Sequence, residues 1–241
     1  MKKIDCITRE IISLSPQIYC VRLSPVTEDI FPFTGGQYLF LSMPDGMQVP
    51  LSIASSPEEK TFIELHIRIT HEDSLASQML ELFQSSKQFQ VSGPSGKCVL
   101  NDSNDDVVII AGGTGMSPMK SILESAFANK IMRQFSLFLG AQTSAELYVC
   151  PLATDWEKQH PNFKFYPVID IAEENWQGDV GFPHQVAIKK LGDKISQCDF
   201  YLGGSANMVL SVYHDLLLAG ALKHKIFGDM LDIKREMGEI D

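Results

Sequence analysis

The chain has 241 residues, a formal net charge of -10, a pI near 5.0 and a mean hydropathy of zero. An acidic balance of this size excludes nucleic acid and anionic membrane as partners, because both need a basic face. The length suffices for two modest cores, and no apolar run approaches the roughly 20 residues of a membrane span, so a soluble two-domain protein is expected.

The N-terminus, MKKIDCITREII, begins with two lysines, but Asp5, Arg9 and Glu10 interrupt any signal-peptide core. A cytoplasmic location is therefore the expectation. From Ile4 to Val91 the text consists of short alternating segments separated by turn residues. Ile4 to Ser13, Gln17 to Leu23, Gln37 to Met43, Val49 to Ala54, Phe62 to Thr70 and Gln88 to Val91 read as strands. In IELHIRIT, Ile63, Leu65, Ile67 and Ile69 share one face and Glu64, His66, Arg68 and Thr70 the other. Short strands with few helices predict an antiparallel β-barrel. One helix is expected near Ser74 to Phe83, with Leu75, Met79, Leu82 and Phe83 on one stripe and Asp73 as its cap.

A polar run, NDSNDD at residues 101 to 106, reads as the linker between a domain over residues 1–100 and a second over residues 101–241. VVIIAGGTGMSPMK follows at residues 107 to 120. Val107 to Ala111 reads as a strand buried on both faces of a parallel sheet. Gly112, Gly113, Thr114 and Gly115 form a tight turn, and Ser117 and Pro118 suit the first turn of a helix running to about Ala128. A strand, a glycine turn and a helix N-terminus make a phosphate site, because free amide hydrogens and the positive end of the helix dipole converge there. A glycine turn of this kind also serves simply to pack a helix against a sheet. No glycine stands at the third place after Gly115, so an ordinary GxGxxG dinucleotide motif is disfavoured. Phe135 to Gly140, Phe163 to Ile169 and Phe200 to Gly203 read as further strands and Ala206 to Ala219 as a helix, the alternation of an α/β parallel-sheet domain. The charged tail DIKREMGEID reads as a solvated end.

Cys6, Cys20, Cys98, Cys150 and Cys198 are scattered, odd in number and without a CxxC pair, so reduced thiols are expected rather than a zinc ribbon or an iron–sulfur cluster. The six histidines show no metal spacing, and no GxSxG nucleophile motif is present.

Several segments together resemble the ferredoxin-NADP reductase superfamily, and within it the bacterial NAD(P)H:flavin oxidoreductases. FTGGQYLFL, residues 33 to 41, resembles a barrel strand of that superfamily, and VPLSIASSP, residues 49 to 57, stands where its flavin motif, Arg-x-Tyr/Phe-Ser, lies. The flavin reductases carry Arg-Pro-Phe-Ser-Met-Ala-Ser there. Pro50, Ser52, Ala54 and Ser55 match, whereas Val49 and Leu51 replace the arginine and the aromatic residue. GPSGKCVL, residues 93 to 100, WQGDVGFPHQV, residues 176 to 186, YLGGSANMV, residues 201 to 209, and FGDM, residues 227 to 230, resemble further segments of the same family in the same order.

The resemblance implies an N-terminal flavin-binding β-barrel and a C-terminal α/β domain for NADH or NADPH. It implies FMN, FAD or riboflavin at Pro50, Leu51, Ser52 and Ser55, with Ser52 as the catalytic residue that hydrogen-bonds the flavin N5 region. His66 and Arg68 on the neighbouring strand are further candidate flavin contacts, Arg68 as a substitute for the missing arginine. Gly112, Gly113, Thr114, Gly115, Ser117 and Pro118 would hold the nicotinamide nucleotide, Gly203 and Gly204 would leave room for its ring, and Phe227 is either core or a flavin-stacking ring. GAQTSAELY, residues 140 to 148, lacks the arginine or lysine that grips a 2′-phosphate, which favours NADH. The expected function is NAD(P)H-dependent reduction of a weakly bound flavin, with an electron-accepting enzyme as the partner in view. The alternatives are a non-catalytic nucleotide-binding relative and a flavoprotein subunit that reduces a partner protein.

Overall fold

The computed structural model describes residues 1–27 and 29–240. Contacts divide the chain into two compact units, Met1–Leu100 with Ser117–Asn129, and Asn101–Met116 with Lys130–Asp241.

The first unit is built on a six-stranded antiparallel sheet of β1 (Lys2–Ser15), β2 (Ile18–Pro25), β3 (Tyr38–Ser42), β4 (Gln48–Ser52), β5 (Ile63–Arg68) and β6 (Phe89–Ser95). Their spatial order is β4-β3-β6-β1-β2-β5. The two outer strands meet where Ile53 bridges Leu65 and the Ala54 amide donates to the Glu64 carbonyl at 2.7 Å, which curls the sheet into the expected barrel. The period-2 pattern fills its interior: Ile63, Leu65 and Ile67 from β5 join Val21, Leu23, Leu39, Leu41, Val49 and Val91 in one core. Full burial of each such side chain stabilises by about 1.5 to 3 kcal/mol. Helix α1 (Leu75–Ser85) starts one residue later than expected, because its cap is Ser74, whose side chain accepts from the Ser77 amide, and not Asp73.

The second unit contains a six-stranded sheet of order β10-β9-β8-β7-β11-β12, parallel at every pairing. The strands are β7 (Asp106–Gly112), β8 (Phe135–Ala141), β9 (Phe163–Ile169), β10 (Asp179–Val180), β11 (Cys198–Gly203) and β12 (Ile226–Phe227). Helices α2 (Met116–Ala128), α3 (Cys150–Gln159), α4 (Pro183–Leu191) and α5 (Ala206–Leu218) connect them. All but the first residue of α2 pack in the first unit. The polar run before β7 is not a free linker: Arg133 donates to the Asn101 and Asp105 carbonyls and pairs with buried Asp199 at 2.6 Å. The tail also departs from expectation. Asp229–Glu236 forms helix α6, which buries Leu231 and places Asp229 and Asp232 at its positive end and Lys234 and Arg235 at its negative end. No helix among the described residues is long and apolar enough to cross a membrane.

Candidate cofactor sites

The first site grows from the pairing of β3 with β4. Leu39 and Leu41 oppose Leu51 and Val49, and these residues face the core. Tyr38 and Phe40 oppose Ser52 and Pro50 on the other face, with the two rings edge to face at 5.4 Å. Ser52 is therefore a half-buried hydroxyl at a strand end with an aromatic ring across from it. Val49, 6% exposed, belongs to the core and presents no charge. Tyr38 carries no recognisable role in the sequence, because its cross-strand register with Ser52 is set only once the two strands pair.

Two other residues of the flavin segment are tied into the fold. The Ser55 hydroxyl accepts from the Glu64 amide at 3.1 Å, and its carbonyl accepts from the Ser121 hydroxyl at 2.6 Å. Lys120, buried on α2, donates to the Ala54 carbonyl at 3.2 Å and pairs with Glu64 at 3.0 Å and with Glu124 at 2.9 Å. Helix α2 comes this close because Gly35 lacks a side chain: a Cβ there would lie 2.8 Å from the Ser121 carbonyl oxygen.

His66 and Arg68 diverge. His66 is buried, and its Nε2 lies 3.1 Å from Glu64 Oε1, whereas Arg68 is exposed and donates to Gln17 at 3.3 Å. Burial lowers the His66 pKa, with Glu64 acting against it. Glu64 carries Lys120 and His66 on one oxygen and Arg22 on the other, the last at 3.0 Å. Burial alone would raise its carboxyl, but the His66 hydrogen bond and the Lys120 charge hold it well below the carboxylate range. Cys20, Glu64 and His66 bring potential metal donors within 4.8 Å of one another. The Lys120 ammonium pairs with the Glu64 oxygen that also faces His66, and burial with the Glu64 charge pushes the Cys20 thiol up to about 12, so the carboxylate sits in an ion-pair network.

The second site lies in the parallel sheet. The chain runs outward from β7 through β8 and β9 to β10 and returns on the other side of β7 as β11, so the crevice of an open α/β sheet falls at the carboxyl ends of β7 and β11. Gly203 ends β11 in register with Ala111 of β7. The turn Gly113–Gly115 then passes against it so closely that a Cβ on Gly115 would lie 2.2 Å from the Gly204 amide nitrogen. Helix α2 starts directly after the turn, and its first amides have no partner inside the helix. Ser117, in its first turn beside Pro118, carries a buried hydroxyl with no hydrogen-bond partner among the described residues. A glycine-lined turn, a helix N-terminus and an orphaned hydroxyl suit a bound dinucleotide. Phe227 is half-buried and stacks on Tyr201 at 5.1 Å. The Trp176 to Gly178 segment lines a cavity of about 610 Å³ with Tyr166, Pro167 and Lys190.

Residues 3–100 match the oxidoreductase FAD-binding domain and residues 109–214 the oxidoreductase NAD-binding domain. The NAD(P)H-flavin reductase of Vibrio harveyi is 31% identical over 85% of this chain and 88% of that protein. The chain belongs to the ferredoxin-NADP reductase family. Another relative, the CDP-6-deoxy-L-threo-D-glycero-4-hexulose-3-dehydrase reductase of Yersinia pestis, is 29% identical over 94% of this chain, which spans 67% of that protein. The fold matches a ferredoxin NADP+ reductase from Neisseria gonorrhoeae with a TM-score of 0.78 at 18% identity, covering 95% of this chain and 98% of that one. As a member of this family, with matches to the FAD-binding and NAD-binding domains in tandem, the chain is an NAD(P)H-dependent oxidoreductase.

Proposed function

We propose that this family member reduces a free flavin, FMN, FAD or riboflavin, which it holds weakly and releases as product. Strand β4 supports this most strongly. Its inward residues Val49 and Leu51 are apolar, so the strand leading to Ser52 offers no cation for a flavin phosphate. Loss of one charge-assisted contact costs about 1.5 to 3 kcal/mol, roughly ten- to hundredfold in affinity.

When both cofactors are bound, the chemistry they supply is hydride transfer from nicotinamide to flavin, so the protein contributes geometry and no acid or base. Ser52 offers its hydroxyl to the flavin N5 region, and Tyr38 and Phe40 supply rings on the same face of the strand pair. Ala54 and Ser55 set the backbone beyond Ser52 through the bonds that Lys120 and Ser121 donate to their carbonyls. The turn Gly112 to Gly115, Thr114 included, with Ser117 and Pro118 on α2, holds the pyrophosphate, and Gly203 and Gly204 leave space for the nicotinamide. Arg68, exposed on β5 with one donor on Gln17 at 3.3 Å, is a candidate cation for a flavin phosphate.

Flavin fluorescence quenching tests this. FMN and riboflavin should bind within about threefold of one another, because no phosphate grip discriminates them, and the purified protein should be colourless. The dehydrase reductase relative favours a second reading, electron delivery to a partner protein. A tightly held flavin that survives purification would select that reading instead.

A further inference from the structure

In a β-α-β nucleotide fold the phosphates lie over the first turn, and the adenosine ribose meets the carboxyl end of the second strand. There an acidic side chain accepts from a 2′-hydroxyl, whereas a cation accommodates a 2′-phosphate. Here the second strand is β8, which runs in register with β7 from Val107↔Phe135 to Gly112↔Gly140. Beyond β8 the chain enters Gln142 and Thr143 and then a short helical turn, Ser144–Glu146.

The segment following β9 is drawn alongside, since the Asp170 and Ile171 amides donate to the Ala141 and Gln142 carbonyls at 2.9 and 3.0 Å. This brings in Glu173 from a separate loop. Its carboxylate accepts from the Ser144 amide at 2.8 Å and from the Ser144 hydroxyl at 2.6 Å. Thr143 donates to Glu146 at 3.3 Å, which adds a second carboxylate. Neither Gly140 to Tyr148 nor Ile169 to Asp179 contains a lysine or arginine. Lys190 pairs with Asp179 at the end of the second of these segments, at 3.3 Å. The hydrogen bonds from Ser144 lower the Glu173 pKa, so the charge persists at neutral pH.

We propose that Glu173, oriented by Ser144 at the end of β8, is the specificity-determining residue that makes this chain prefer NADH to NADPH. It accepts from a ribose 2′-hydroxyl, and with Glu146 it repels a 2′-phosphate, whose added charge is close to two units. This rests on the reading above that the β7 turn binds the nicotinamide nucleotide.

The test is calorimetric titration of the full chain with NAD+ and NADP+, which needs neither flavin nor turnover. The native chain should bind NAD+ at least about tenfold more tightly, and added salt should narrow the ratio because the discrimination is electrostatic. Glu173→Gln should tighten NADP+ several-fold while weakening NAD+, and Ser144→Ala should move the ratio the same way by less. Equal affinity of the native chain for the two nucleotides, or a ratio that Glu173→Gln leaves unchanged, overturns the assignment while leaving the nucleotide site in place. Binding of neither nucleotide overturns the nucleotide site and the assignment with it.

Discussion

Replacing Lys120 with methionine keeps the length of the side chain and removes its charge from a network in which it serves Glu64, Glu124 and the Ala54 carbonyl. Lys120 is 8% exposed and Glu64 4%, so the carboxylate left behind is cut off from water. Breaking a buried pair in this way typically costs about 3 to 5 kcal/mol. Glu64 keeps Arg22 at 3.0 Å on its other oxygen, and Glu124 is partly open to solvent, which places the cost at the lower end. A loss of about 3 kcal/mol corresponds to roughly hundredfold faster amide exchange in α2 and β5 wherever exchange proceeds through opening of this unit. Hydrogen exchange is the right assay, because both tryptophans, Trp156 and Trp176, lie in the other unit and their fluorescence does not report on the cluster. Adding Glu64→Gln should restore at least half of the loss, since the stranded charge is then gone. Exchange in α2 and β5 within about threefold of the native rate in the single variant would refute the network as a stabilising element.

Two further outcomes follow from the geometry. Gly115→Ala would drive a Cβ to 2.2 Å from the Gly204 amide and 2.3 Å from the Gly203 carbonyl carbon, both backbone atoms that cannot swing aside. Nucleotide affinity should fall at least about tenfold with a lowered Tm, and a variant that binds as the native chain does would show that the turn has room the structure denies it. His66 has a folded pKa below the ordinary value of about 6.5, so the unfolded chain takes up its proton first as pH falls. The stability it contributes is complete above about pH 6.5 and is lost below it, at no more than about 1.4 kcal/mol per pH unit. The Glu64 contribution, from a lowered carboxyl, is lost only at more acidic pH, below about 4.5. Urea unfolding of the native chain and of His66→Gln between pH 7 and 5 should therefore diverge as pH falls, and parallel curves would place the titrating group elsewhere.

How much of this was legible in the sequence depended on whether the signal was local. The alternation in IELHIRIT fixed β5 and its core face, and the apolar run with its glycine turn fixed β7 and the start of α2 to within a residue. The same alternation mis-described the other face of β5. Glu64, His66 and Arg68 read alike as polar, yet only Arg68 is exposed, because α2 covers the other two with a lysine 56 positions beyond Glu64. Pairings over such distances leave no periodicity to read. Arg133 with Asp199 and Ser144 with Glu173 escaped for the same reason. Helix α6 was missed because its many charges looked solvated, although Leu231 gives it one anchored position. Tyr38 was hidden by register, since its place opposite Ser52 exists only after β3 and β4 pair. The segments proposed for flavin and nucleotide rest on short-range motifs, whereas the contacts that brace them leave no such signal.

The most direct test of the proposed activity is NADH and NADPH oxidation at 340 nm by the chain alone, with FMN, FAD, riboflavin or no flavin added. Turnover that requires added flavin, proceeds without any partner protein and scarcely separates FMN from riboflavin is the predicted result. No turnover with any flavin, under conditions where the nucleotide still binds, would contradict it and would mean that Val49 and Leu51 have ended flavin reduction in this chain.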